Sequence, residues 1–379
     1  MPGWIFHQSL TAQALKSNQI FDADGLVNNY CCYPDYYYDE RCAEVKPYMF
    51  FYDRIQFHYP PHTPVDEFYR YWDRDEKGNY PFNHHENENI IHVEAGFRFY
   101  LEKVISLLKA GTKEEAWKYL GCLLHFLEDA TFGIHALEGA DGTDLFVLDR
   151  LSGTDVAKFL CSIKLPDELK SVTVEPKIIS TKMDELVSLL YTRYAKDSAF
   201  SRKLLFDMAV GHIYGTSHRS FDENVRLMFM TALQLTADAV ASIMAIVSDR
   251  KCESNLRDLT DFTPFHYPIG GSGFILRKYE EAGNTVTFGV NSSASLLYRI
   301  PENVYDTFTV QVSGIDIKQV TLQVINRNEV VQTLEMESGK EFQLNISSPG
   351  GIFGFRISSP GISGQIRFSD GVFQGKEKG

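Results

Sequence analysis

The residues best placed to do chemistry lie in Tyr119-Leu120-Gly121-Cys122-Leu123-Leu124-His125-Phe126-Leu127-Glu128-Asp129, followed by His135. His125 and Asp129 are four apart, so on a helix they share one face, one turn from each other. A neutral imidazole and a carboxylate in that relation can grip one cation, and they are the ligands expected of a zinc site without cysteine. Gly133 interrupts the helix and lets His135 turn toward a neighbouring position. The competing account is a core histidine satisfied by Asp129. The extra histidine, the histidines further upstream and the apolar setting of Leu123, Leu124, Phe126 and Leu127 favour the metal site. Cys122 shares the face of His125, but core packing accounts for it better than ligation.

These residues need a helix to hold them, and the apolar spacing supplies one. Ala110-Gly111 ends a helix predicted over 89–108, in which Ile90, Ile91, Phe97, Leu101, Val104 and Leu108 recur at helical intervals. Thr112 and Glu115 form a capping-box pattern that opens the next helix, running to about Ala130. A first helix is predicted over 8–20 from Leu10, Ala14 and Leu15. Ser220 with Glu223 opens a long apolar helix to Val247. Residues 28–83 are irregular and rich in aromatics, as in Tyr36-Tyr37-Tyr38, and such stretches in compact domains are usually functional or mobile. Their aromatic side chains either line a substrate cleft or pack this loop-rich region. After Asp249-Arg250 the pattern changes to alternation, as in Thr285-Val286-Thr287-Phe288, Phe308-Thr309-Val310 and Val320-Thr321-Leu322. Turn residues punctuate these runs, which is the pattern of a small antiparallel β-sandwich. The fold class predicted is therefore multi-domain: an all-α domain over 1–255 and a β-sandwich over 265–379.

Composition bounds the partners. A chain of 379 residues is long enough for two domains, and 44% hydrophobic residues exclude disorder as its main state. No stretch approaches the roughly 18 uncharged apolar residues that span a bilayer. A formal charge of −13 opposes an electrostatic grip on phosphate backbones unless bound cations reverse it locally, so nucleic acid is not favoured. Ten of the eleven histidines precede residue 220, and only His266 lies beyond it. All six cysteines precede residue 260 and none forms a CxxC pair, so no thiolate zinc knuckle is expected. A bridge from Cys31 or Cys32 to Cys42 and a set of buried free thiols both remain open. Met1-Pro2-Gly3-Trp4 leads straight into His7 with no signal peptide visible, as expected of a cytoplasmic protein or of a chain written after signal removal.

The helix-borne Tyr-Leu-Gly-x-x-Leu-His-x-Leu-x-Asp followed by His135 resembles the zinc-dependent phospholipase C family, over roughly residues 4 to 250. That family includes secreted bacterial phosphatidylcholine-hydrolysing enzymes, clostridial alpha-toxin and the catalytic part of a glycosylphosphatidylinositol-specific phospholipase D, and the S1/P1 nucleases share its fold. The resemblance implies an all-helical domain with two to three zinc ions and a secreted or periplasmic setting. It implies that Asp35, in Tyr33-Pro34-Asp35-Tyr36, His58, in Phe57-His58-Tyr59-Pro60, His125 and Asp129 hold one zinc. Asp129 would bridge to a second zinc held by His7, with Trp4 as the counterpart of the family's N-terminal tryptophan. Three residues precede Trp4 here, so if they are native the usual amino-terminal chelate does not form. His135 would begin the third site, completed by His218 and Asp222 in His218-Arg219-Ser220-Phe221-Asp222, with Glu138 and His212 as fallbacks.

The function implied is hydrolysis of a phospholipid phosphodiester. Zinc would offset the substrate's charge and bring a water's pKa to about 7, and Asp35 would orient or deprotonate that water. The sandwich would help the protein sit on a membrane. The rivals are a single-strand nuclease of the S1/P1 type and a non-catalytic, zinc-stabilised binding or adhesion protein.

Overall fold

The structure, a computed structural model, describes residues 4–36, 92–138, 151, 153–250, 256–264 and 279–375. The chain divides into two compact units, Met1–Lys251 and Cys252–Gly379.

The first unit is helical. Its helices are α1 (Trp4–Ser17), α2 (Asp24–Asn28), α3 (His92–Lys109), α4 (Lys113–Thr131), α5 (Asp155–Cys161), α6 (Met183–Tyr214) and α7 (Phe221–Val247). Short 3-10 helices include η1 (Tyr30–Tyr36) and η2 (Ile134–Glu138). From Ala116 to Thr131 α4 is buried on almost every side, so it forms the centre of the unit. Phe97 of α3, Phe126 of α4 and Tyr194 of α6 meet there, with Phe126 and Tyr194 stacked at 5.4 Å and Phe97 edge-on to both. A second apolar cluster joins Leu10 of α1 and Phe132 to Leu204, Leu205 and Met208 of α6 and Phe229 of α7.

Two local expectations need correction. Thr112 is the N-cap residue of α4, but its hydroxyl donates backward to the Leu107 carbonyl at 3.0 Å and caps nothing forward. Closing the α3–α4 turn competes for the one hydroxyl and wins. Ser220 does cap α7, accepting from the Glu223 amide at 3.2 Å. The apolar-run estimate also understated α7, which is long and apolar enough to cross a membrane. The most apolar stretch of α7 is 67% buried within the protein, as a core helix would be.

The turn from α6 to α7 is built by Asp207. Its carboxylate accepts from the backbone amides of His218 (2.7 Å) and Arg219 (3.0 Å) and from the Asn224 amide (3.0 Å). These bonds, the Asn224 side chain first, hold the carboxyl below its usual range.

The second unit is an antiparallel β fold of β1 (Leu256–Asp258), β2 (Tyr279–Ala282), β3 (Thr285–Ile300), β4 (Tyr305–Ile315), β5 (Val320–Asn326), β6 (Glu329–Met336), β7 (Glu341–Ser347) and β8 (Gly351–Gly375). Two strands are far longer than the turn spacing suggests. The first part of β8 pairs with β5 and the second half of β3, and the last part pairs with β4 and the first half of β3. Phe355 and Phe368 sit 13 residues apart in β8, about 43 Å if the strand ran straight. Their rings are stacked at 4.1 Å, so the strand doubles over and its two parts face each other across a core. The register of β3 breaks at the matching place, between Gly289, Asn291 and Ser293. This is the β-sandwich, closed by long strands shared between its two layers.

Candidate metal centre

The geometry of the centre starts from a glycine. A Cβ on Gly121 of α4 would lie 2.4 Å from the Tyr30 carbonyl carbon and 2.8 Å from the Cys31 amide nitrogen. Only a residue without a side chain lets η1 lie flat against the helix here. One turn further along the same face, the Cys31 carbonyl meets His125 Nδ1 at 2.6 Å. That contact turns the other ring nitrogen, Nε2, to within 3.3 Å of Asp129 Oδ2.

A second histidine arrives from α1. His7 stacks on His125 with ring centres 3.8 Å apart and planes 16° from parallel. Its Nδ1 meets Glu128 Oε2 at 2.8 Å, and Thr11, one turn along α1, donates to Glu128 Oε1 at 2.9 Å. His7 Nε2, buried and without a hydrogen bond among the described residues, lies 3.4 Å from Asp129 Oδ1. Both histidines thus have one nitrogen tied down and the other aimed at the same carboxylate.

His7, His125, Glu128 and Asp129 are all buried. Burial is the largest influence on His7 and works to lower its pKa, but Asp129 and Glu128 outweigh it and leave the group well above the ordinary histidine value. Burial raises Glu128, with His7 opposing. Two carboxylates, Glu128 and Asp129, share a dry site with two imidazoles, so a cation is the natural neutraliser.

His7, His125 and Asp129 each offer a ligand atom, all within 4.8 Å of one another, and they are the group of this kind among the described residues. Two imidazoles and a carboxylate fit zinc, and the outer bonds to Glu128 and the Cys31 carbonyl are those that fix ligand tautomer and orientation in metal sites. The residues present therefore fit the ion. Sequence reasoning passed over Glu128, although its place three residues after His125 and beside Asp129 was a readable signal. The Cys31 carbonyl left no signal in residue types at all.

The other expected ligands stand as follows. The backbone of Trp4 opens α1, that of Asp35 lies in η1 and that of His135 in η2, while their side chains, like that of Glu138, are outside the described part. His58 and the aromatics of residues 37–91 lie outside the described residues. His218 and Asp222 are exposed at the α6–α7 turn and do not join the buried group. His212 is also exposed and stacks on Phe159 at 4.2 Å. Cys31 and Cys32 are buried free thiols with sulfurs 3.7 Å apart, and Cys122 packs in the apolar core. A small cleft lined among others by Phe6, Phe132, Gly133 and Ile134 lies beside the end of α4.

Comparison with known proteins places the chain in a family. Solved structures that match include a lysine-to-alanine mutant of the CBM29-2 carbohydrate-binding module, at 13% identity over 26% of this chain and 75% of that one (TM-score 0.20). Another is CBM51 from Clostridium perfringens GH95 in complex with methyl-galactose, at 14% identity over 33% of this chain and 90% of that one (TM-score 0.21). No curated protein matches the chain. The zinc-dependent phospholipase C family model matches residues 1–200, a span that contains α1, η1 and α4 with His7, Cys31, His125, Glu128 and Asp129. On that match over more than half its length, the chain belongs to the zinc-dependent phospholipase C family.

Proposed function

We propose that the protein hydrolyses the phosphodiester of a phospholipid head group, on the glycerol side, using zinc held at the α1–α4 centre. The observation that carries this reading is the convergence of His7 Nε2 and His125 Nε2 on Asp129, with each opposite nitrogen anchored.

Zinc supplies Lewis acidity toward a phosphoryl oxygen and makes water acidic near neutral pH. The chain's own residues do the rest. Glu128 faces His7 Nδ1 and the Cys31 carbonyl faces His125 Nδ1, so the nitrogen of each ring that would meet a cation is Nε2. Thr11 holds Glu128 in place. Asp129 turns one oxygen toward each histidine and would hold the ion together with them. Asp35 is assigned the proton-accepting role, on the same 3-10 helix that supplies the Cys31 carbonyl. His135, His218 and Asp222 are assigned to a further ion.

The β unit is proposed as a surface-binding module. Val330 and Val331 are exposed on β6, just past the Arg327–Asn328 turn. The test is zinc-dependent release of phosphorylcholine from phosphatidylcholine, run beside cleavage of single-stranded DNA. Lipid hydrolysis that chelation stops and His125→Ala abolishes is the expected result. DNA cleavage alone, fewer than two zinc ions per chain, or activity surviving in His125→Ala would overturn the reading.

A further inference from the structure

We infer that the C-terminal half of α6 is a docking surface for a phospholipid bilayer. Its occupant rests on the phospholipid reading above; the surface itself rests on the following observations.

Ala199, Lys203, Phe206, Val210, Ile213 and Tyr214 are three, four or one residue apart, so they line one stripe of α6, about 22 Å long. All six face solvent, and the large ones do so heavily: Phe206 is 44% exposed, Val210 43%, Ile213 55% and Tyr214 74%. The opposite side, Leu204, Leu205 and Met208, is buried in the helical core. The solvent side of such a helix is ordinarily polar. Here it is apolar over its last two turns, where the core has no further use for those side chains.

Among the residues of α6 from Ser198 to Tyr214, the exposed charges have one sign. Lys203 sits within the stripe, and the Arg202 guanidinium lies over the Phe206 ring at 5.8 Å. Between Ser198 and Tyr214 the one carboxylate is Asp207, and it is buried and turned inward onto the His218 and Arg219 amides. The surface of this stretch is therefore cationic and apolar in a chain of net −13. Beyond the turn, Arg219 lies near Glu223, at 3.8 Å, and forms a charged rim. Aliphatic and aromatic groups flanked by Lys and Arg, with a tyrosine at the edge, suit a helix lying in the plane of a lipid interface. Phosphate groups of the lipid complement Lys203.

The experiment measures sedimentation of the zinc-loaded full-length protein with vesicles of three parts phosphatidylcholine to one part phosphatidylglycerol. Alongside it runs hydrolysis of a short-chain phosphatidylcholine below its micelle concentration. Val210→Glu with Ile213→Glu should lower vesicle partitioning by more than tenfold and leave hydrolysis of the monomeric lipid unchanged. Lys203→Gln, a milder change on an exposed site, should lower partitioning about fivefold on these anionic vesicles, since one surface cation contributes about that much. Unchanged partitioning in both variants would overturn the proposal. So would sedimentation equilibrium showing that the stripe closes a dimer that the glutamates dissociate. A wild type that partitions onto vesicles but hydrolyses no lipid would count against the phospholipase reading alone.

Discussion

The two units of this chain both have apolar cores but differ in the polar groups they bury. Among the described residues, the helical unit buries His7, Thr11, Gln13, His125, Glu128, Asp129, Glu185, Asp207 and Asp238, while the β unit buries one polar residue, Asn326. The β core is instead a run of phenylalanines in contact, with Phe308, Phe353 and Phe373 within 4.4 to 5.4 Å of one another and Phe355 stacked on Phe368. A dry aromatic core needs no partner to be stable. A core of imidazoles and carboxylates does, because each desolvated group must be paired, neutralised or liganded. The difference separates a scaffold from a site.

Breaking either core should leave the mark of its own chemistry. The largest expected effect is on the aromatic side. Phe368→Ala removes a fully buried ring and should cost about 3 to 5 kcal/mol in unfolding of the β unit, with zinc affinity unchanged. Denaturant melts of the full chain with and without zinc check it; a change in zinc affinity would show that the two units are coupled.

Next is Gly121→Ala. The added methyl meets η1 backbone, so overpacking should cost about 1 to 3 kcal/mol and push the Cys31 carbonyl away from His125. Zinc titration by calorimetry should show weakened binding as well. Normal affinity would mean that η1 does not orient the histidine.

Glu128→Gln keeps the shape and removes the charge that anchors His7. It should weaken zinc binding about 10- to 100-fold without unfolding the helical core. An apolar-core reading of Glu128 predicts no such loss, so the same calorimetry decides between them.

The smallest effect lies away from the centre. Burial pushes the Asp197 carboxyl up to about 6, against the pull of Arg193, with Asp238 adding to the rise. A carboxyl raised in the folded state holds its proton where the unfolded chain has already lost it. Its contribution is therefore present at low pH and is lost as pH climbs from about 4 to 6. Asp197→Asn should accordingly gain on the wild type across that window, by about 1 to 2 kcal/mol at pH 7. Thermal melts from pH 4 to 8 test this, and a constant difference would refute it.

Part of the buried group is legible in the sequence. The four-residue step from His125 to Asp129 needs only a helix, and α4 is a helix because its apolar residues repeat at helical intervals. His7 was reached by family resemblance, since nothing local in α1 says which distant helix it will face. The metal centre depends on tertiary contacts at three points that spacing does not encode: the stacking of His7 on His125, the Glu128 clamp 121 residues away, and the Cys31 carbonyl 94 residues away. Spacing alone also does not place the His218–Asp222 pair. Its four-residue step matches a ligand pair, yet Asp207 pins His218's backbone to an exposed turn.

The sequence by itself determined the periodicities, and with them a helical part rich in histidine followed by a β part almost without it. Those are local properties, fixed by which side chains suit a 3.6-residue or a 2-residue repeat. Tertiary structure decided what periodicity cannot express. It doubled β8 over so that Phe355 meets Phe368, and it used the bare backbone at Gly121 to bring a carbonyl onto His125. It also left one stripe of α6 apolar in water. In the first two cases the deciding quantity was the distance between groups separated along the chain, and in the third the burial of each face of one helix.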